Sequence, residues 1–375
     1  MREYLTVFLV SAVVTYLLGV VAREVALRTG AVAKVRARDV HAVPIPYFGG
    51  VAMLGGLGAA YLVAHRLPFL SLSDHQVFHD SAVVLGGGAM ICALGILDDL
   101  IELDALTKLG GQLLAAGFLV INQVQYYNFQ LPGRGQFSLV GPQGALLSVI
   151  VVVATVNAVN FVDGLDGLAA GVVAIGAVAF FAFAYKLADV NNETLAISAA
   201  LLCAALGGAC AGFLPHNFFP ARIFMGDSGS MLIGLVLSGS AMTLTGQFAT
   251  VDLNQGAGGS QASLLPTLLP ILLPISILVV PFADLVLAVI RRTRAGRSPF
   301  SPDKQHLHHR LLEIGHSHRR AVLIIWAWAA LIAFGGVLAS IYASRLTVVL
   351  LVVWVALTML LTFVLPRVQR PAGVR

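Results

Sequence analysis

The run at 157–171, NAVNFVDGLDGLAAG, places two amides and two carboxylates three residues apart, at Asn157, Asn160, Asp163 and Asp166. Long apolar segments flank it on both sides. An Asp at the centre of a membrane helix costs roughly 2.5–3.5 kcal/mol, so a polar cluster in such surroundings has a use. The spacing keeps the four side chains on about one face of a helix or tight turn. Gly164 and Gly167 let backbone or a ligand approach closely.

Other stretches carry compatible groups. Asp98 and Asp99 follow the apolar run LGIL. Adjacent carboxylates can hold a hard cation or share a proton, or they simply end a helix at the interface. Asp227, in FMGDSGS, reads equally as the N-cap of the helix it opens and as a carboxylate carrying Mg²⁺ to a phosphate bound at that helix N-terminus. His306, His308, His309 and Arg310 form HLHHR. No Cys or carboxylate cluster completes a zinc site there. Beside Arg291, Arg292, Arg294, Arg297 and Lys304, these residues suit phosphate and sugar hydroxyls, or a basic loop obeying membrane charge bias. Lys108, ten residues after Asp98, can neutralise nearby acids or hold a phosphate. Asp284 reads as an ion-pair partner inside the helix bundle. His216 and Asn217 either reach a ligand or satisfy loop backbone, and His316 and His318 read as ordinary loop residues. Aspartates for a hard metal and cations for phosphate describe Mg²⁺-assisted chemistry on a diphosphate at a membrane face.

The positioning elements must be membrane helices. The 375 residues are 58% hydrophobic and only 11% charged, against about 25% charged in soluble domains; mean hydropathy is +0.89. Short alternating segments typical of a β-barrel are absent from the sequence. The expected class is all-α and polytopic, with about eleven transmembrane helices near 4–27, 47–66, 81–97, 105–121, 145–161, 168–186, 195–213, 229–247, 265–290, 321–343 and 347–365. The run Tyr4–Ala22 reads as the first span, not a signal peptide. Cys92, Cys203 and Cys210 lie inside apolar spans and read as small buried hydrophobes. No repeat or separate soluble domain stands out, so 1–375 is expected to be one integral membrane domain.

With the N-terminus outside and the C-terminus cytoplasmic, eighteen of the 23 Lys and Arg residues fall on the inner side. Every polar motif above then falls on the cytoplasmic face, including RARDVHAVPIPYFGG at 36–50. The basic pI of 9.3 reflects this topology and not nucleic-acid binding.

These motifs carry a resemblance. LDD at 97–99, NxxNxxDGxDGL at 157–168, GDSGS at 226–230 and the His loop resemble the polyprenyl-phosphate N-acetylhexosamine-1-phosphate transferases, a family that includes phospho-MurNAc-pentapeptide translocase. HLHHR in place of HHH is similar to the GlcNAc-1-phosphate branch, and SPFSPDKQHLHH looks actinobacterial. The resemblance implies transfer of GlcNAc-1-phosphate from UDP-GlcNAc to undecaprenyl or decaprenyl phosphate, releasing UMP, at the cytoplasmic face of a bacterial cell membrane. It implies Mg²⁺, or Mn²⁺ in its place, held by Asp227 and Asn160, with Asp98 and Asp99 beside it and one of them acting on the lipid phosphate. It gives Lys108 to a phosphate, Phe224 and Asp166 to the uracil, and His306, His308, His309 and Arg310 to the sugar diphosphate. Asn157 and Asp163 complete the polar core, and a homodimer fits the family. Two alternatives stand beside this reading. One is a different donor, UDP-MurNAc-pentapeptide or another UDP-sugar. The other is a cation-coupled transporter, which would carry its carboxylates near the midplane.

Overall fold

The computed structural model describes residues 1–32, 44–131, 135–139, 141–191, 194–245, 293–294, 311, 315–342 and 344–363. Its helices are α1 (Arg2–Thr29), α2 (Gly49–Ala64), α3 (Pro68–Ser71), α4 (His75–Ile101), α5 (Ala105–Ile121), α6 (Pro142–Val162), α7 (Leu168–Asn191), α8 (Thr194–Asn217), α9 (Gly226–Thr245), α10 (His318–Ile341) and α11 (Arg345–Phe363). Each expected span except 265–290 coincides with one of these helices; 265–290 lies outside the described residues. Among the described residues, seven helices are long and apolar enough to cross a membrane: α1, α4, α6, α7, α8, α10 and α11. α2 and α5 are apolar but shorter.

Two features differ from the all-helical expectation. Asn128–Leu131 (β1) and Gly135–Ser138 (β2) form an antiparallel hairpin, with Asn128 opposite Ser138, in a stretch that reads from its Gly and Gln content as a plain loop. α4 also starts six residues before the expected span. The Asp74 carboxylate accepts the Gln76 amide at 3.1 Å and caps it there.

The burial pattern is that of a membrane protein. α1 turns Ser11, Thr15, Gly19, Ala22 and Ala26 inward and exposes Leu5, Leu9, Val13, Leu17 and Val20. Small residues inside let helix backbones approach closely, and the large apolar ones face lipid. A Cβ on Gly208 or Gly212 of α8 would overlap the α1 backbone at Phe8 or Ala12. α11 repeats the pattern, burying Thr347, Thr358 and Thr362. α9 is buried along its length from Ser228 to Leu244 and lies against α2, α4, α6, α7 and α8. Its first turn is where the polar residues gather.

The two ends of the bundle differ. At one end, Glu3 of α1 caps α3, accepting the Phe69 and Leu70 amides at 2.7 and 2.8 Å. The other end carries the starts of α2, α5, α7 and α9 and the ends of α4, α6 and α8, and the sequence motifs converge there.

Candidate active site

The first turn of α9 is locked by backbone approach. Gly226 has φ of 70°, a left-handed conformation that side chains resist. A Cβ on Gly95 of α4 or on Gly50 of α2 would overlap the backbone at Asp227–Gly229. The Gly49 and Gly50 amides donate to the Phe224 and Met225 carbonyls at 3.1 and 3.2 Å, and the Phe224 amide donates to the Pro46 carbonyl at 2.8 Å. Asp99 completes the clamp. Its carboxylate accepts the backbone amides of Asp227 at 2.8 Å and Ser228 at 3.3 Å.

The Asp227 side chain stands at the centre of the site. Its Oδ2 lies 2.6 Å from Lys108 Nζ, and its Oδ1 accepts from Asn160 Nδ2 at 2.9 Å. The same Asn160 nitrogen donates to Ser230 Oγ at 2.9 Å, and the side-chain oxygen of Asn160 has no hydrogen bond among the described residues. Lys108 Nζ also lies 2.5 Å from Asp98 Oδ2, while Asp98 Oδ1 accepts the Leu103 amide at 2.8 Å. The side chains of Lys108 and Asp227 remain 26% and 27% exposed, so a small anion can reach them. Asp104 fixes the start of α5, and hence Lys108, by accepting the Leu106 and Thr107 amides at 3.0 and 3.1 Å. Hydrogen bonds from the Thr107 hydroxyl and amide hold the Asp104 carboxyl below the usual carboxylate range.

Asp163 and Asp166 occupy the turn between α6 and α7. Burial, and then the charges of Asp227, Asp99 and Asp166, push the Asp163 carboxyl up to about 8. Asp166 is buried, and its Oδ2 accepts the Ala221 amide at 2.9 Å. Asn217 ties the same turn to the loop before α9, accepting from the Gly167 amide at 2.9 Å and donating to the Ile223 carbonyl at 3.1 Å. Arg23 and Arg319 brace that loop by donating to the carbonyls of Arg222 at 3.3 Å and Phe219 at 3.1 Å. Phe224 is half-buried beside Tyr47, with ring centroids 6.3 Å apart.

The structure therefore gathers Asp98, Asp99, Lys108, Asn160, Asp163, Asp166, Phe224 and Asp227 at one end of the bundle. Asn157 sits one turn further into α6, where its amide donates to Gln112 Oε1 at 2.6 Å and to the Val153 carbonyl at 2.8 Å. His306, His308, His309, Arg310 and Asp284 lie outside the described residues. His216 is structural, 2.9 Å from the Tyr16 carbonyl and stacked on that ring. His316 is buried 3.0 Å from the Thr362 carbonyl. Gln112 and Gly95 lie outside every motif, and Ser230 and Tyr47 fall within GDSGS and the 36–50 run, where the motifs assign them no role. Gln112 had a signal, because an amide inside an apolar span is costly unless paired. Gly95 had none.

Among the described residues, no three His, Cys, Asp or Glu side chains form a ready metal cage. Mg²⁺ does not require one, since it binds through one or two carboxylates, water and substrate phosphates. The donor set fits that mode: Asp98 and Asp227 already converge on one cationic nitrogen, and Asn160, whose Nδ2 donates to Asp227 Oδ1, has a side-chain oxygen with no hydrogen bond among the described residues.

Apolar helices with small residues between them, and acids, an ammonium and an amide collected at one end, define a multi-pass membrane protein with one charged, polar site. Residues 81–245 match the family described as glycosyl transferase family 4. A protein named decaprenyl-phosphate N-acetylglucosaminephosphotransferase in Mycolicibacterium smegmatis is 44% identical over 338 residues, 89% of this chain and 82% of that one. The protein of the same name in Mycobacterium leprae is 43% identical over 99% of this chain and 92% of its own length. An undecaprenyl-phosphate alpha-N-acetylglucosaminyl 1-phosphate transferase of Salmonella typhi is 29% identical, covering 91% and 84%. The chain belongs to glycosyl transferase family 4, among its polyprenyl-phosphate N-acetylhexosamine-1-phosphate transferases.

Proposed function

We propose that the protein transfers GlcNAc-1-phosphate from UDP-GlcNAc to a polyprenyl phosphate, decaprenyl or undecaprenyl, releasing UMP. An oxygen of the lipid phosphate forms the new bond to the sugar-bearing phosphorus of the donor, and the bond from that phosphorus to UMP breaks. The observation that carries this reading is the convergence of Asp98 and Asp227, from two helices, on the exposed Lys108 ammonium, in a chain whose relatives are named for this transfer.

Both reactants are anionic and repel each other. Lys108 offsets that charge at the point where they meet. Asp227 and Asn160 would hold Mg²⁺, with Asp98 beside it. When bound, the ion supplies Lewis-acid stabilisation of the diphosphate oxygens. A phosphate monoester has its second pKa near about 6, so the attacking oxygen is mostly ionised at neutral pH. Asp166 and Phe224 form the nucleobase end of the site, Asn157 and Asp163 support it, and His306, His308, His309 and Arg310 take the sugar diphosphate.

The chain works as one domain of eleven spans with its N-terminus outside. The site then opens on the cytoplasmic face of the plasma membrane, where the nucleotide sugar is made and the lipid phosphate lies at the hydrocarbon boundary. A homodimer accords with the family.

The test is incubation of purified protein in detergent with UDP-GlcNAc, decaprenyl phosphate and Mg²⁺. Lipid-linked product and UMP should form in equal amounts. Asp227→Asn should lower the rate by at least about 100-fold, and a variant turning over like the wild type would overturn the site assignment.

A further inference from the structure

We infer that Asp99 is a positioning residue: it caps α9 from a neighbouring helix and so fixes where the Asp227 carboxylate stands. The inference rests on the reading of Asp227 as a metal ligand. The first amides of a helix lack intrahelical partners. Met225, preceding α9, has no side-chain oxygen to offer them. Asp99, 128 residues away in sequence, accepts the Asp227 amide on Oδ1 and the Ser228 amide on Oδ2, one bond per oxygen. Gly226 is left-handed, and a Cβ there would run into the Asp99 carboxylate. Gly95, one turn earlier on α4, lies against the Ser228 backbone. Gly226 and Gly95 thus share one purpose, bringing the α9 N-terminus onto Asp99, while Gly229 lets α9 approach Gly50 of α2. Asp98, about 100° around the same helix, faces Lys108 and the Leu103 amide instead. The adjacent acids divide the work: Asp98 serves the charged centre, and Asp99 serves the backbone that carries Asp227.

Asn keeps one acceptor oxygen and can hold one of the two amides, whereas Leu offers none. A residue that only aligns a metal ligand changes metal affinity by about 10–100-fold. Asp99→Asn and Asp99→Leu are compared with the wild type by two Mg²⁺ titrations. One follows turnover; the other follows thermal stability in detergent without donor or acceptor. Asp99→Asn should keep at least about a tenth of wild-type kcat at saturating Mg²⁺. Asp99→Leu should need about 10–100-fold more Mg²⁺ in both titrations, and added Mg²⁺ should restore part of its kcat. If Asp99→Leu does not fold, Asp99→Asn alone decides. An Asp99→Asn protein that stays monodisperse and has an unchanged Mg²⁺ midpoint, yet is inactive at every Mg²⁺ concentration, would overturn the inference and put Asp99 on the substrate. A wild type whose stability ignores Mg²⁺ would overturn it too, because no metal ligand would then need aligning. A wild type that makes no lipid product defeats the phosphotransferase reading instead, and the stability titration still decides the role of Asp99.

Discussion

Asp98 and Asp227 meet at one ammonium. Lys108 Nζ lies 2.5 Å from the first and 2.6 Å from the second, joining α4 to α9 through the start of α5. Without Lys108 two carboxylates face each other with no counter-charge, and like charges this close disfavour ionisation of both. Lys108→Gln should therefore lower turnover by at least about 100-fold and lower the melting temperature in the absence of divalent ions, with Mg²⁺ recovering part of the stability but little of the rate. Thermal scans and initial rates check this; a variant as active and as stable as the wild type would remove Lys108 from the account.

Asp163 supplies a test of the metal that needs no substrate. Burial and three neighbouring carboxylates raise its pKa to about 8, which favours the protonated form near neutral pH. A cation bound nearby favours the ionised form and expels that proton. Mg²⁺ added at pH 7 to chelator-treated protein in weak buffer should release up to about one proton per chain. Asp163→Asn should release clearly less. No release from the wild type would count against a metal beside this carboxylate.

Gly95 and Gly110 make a controlled pair. A Cβ at Gly95 has nowhere to go except into the Asp227–Ser228 backbone, whereas one at Gly110 meets nothing within 4 Å. Gly95→Ala should lower both stability and turnover, the former by about 1–3 kcal/mol as overpacking does. Gly110→Ala should be close to neutral. Equal behaviour of the two variants in thermal scans and rate assays would contradict the clamp around α9.

Gln112 and Asn157 exchange hydrogen bonds, 2.6 Å in one direction and 3.3 Å in the other. Pairs of this kind inside a bundle contribute about 0.6–2 kcal/mol. Gln112→Leu and Asn157→Leu should each destabilise, and the double variant by less than the sum, since it leaves no amide unpaired. Strict additivity in a double-mutant cycle would show that the pair does not act as a unit.

Much of this was legible in the sequence because hydrocarbon constrains so strongly. A long apolar run must be a helix, and polar side chains that survive beside it must serve a purpose. That logic points to the helices of the bundle, and it singles out Asp98, Lys108, Asn160 and Asp227, which the fold brings together. It could not separate Asp98 from Asp99. Their difference is a rotation about α4 that matters only because the α9 N-terminus is docked on one side of it. It could not find Gly95, whose value lies in what passes over it. The hairpin at 128–138 was also hidden, since each strand has only four residues, too few for the alternation of Phe129 and Leu131 with Asn128 and Gln130 to stand out.

The account rests on the transfer of a phosphate with the sugar, and one measurement tests that directly. UDP-GlcNAc labelled with ¹⁴C in the sugar and ³²P in the sugar-linked phosphate is given to the purified protein with decaprenyl phosphate and Mg²⁺. The account predicts lipid carrying both labels in the donor's own ratio, with unlabelled UMP released. Lipid carrying ¹⁴C alone, with ³²P left in released UDP, would mean that a sugar and not a sugar phosphate is moved, and would contradict it.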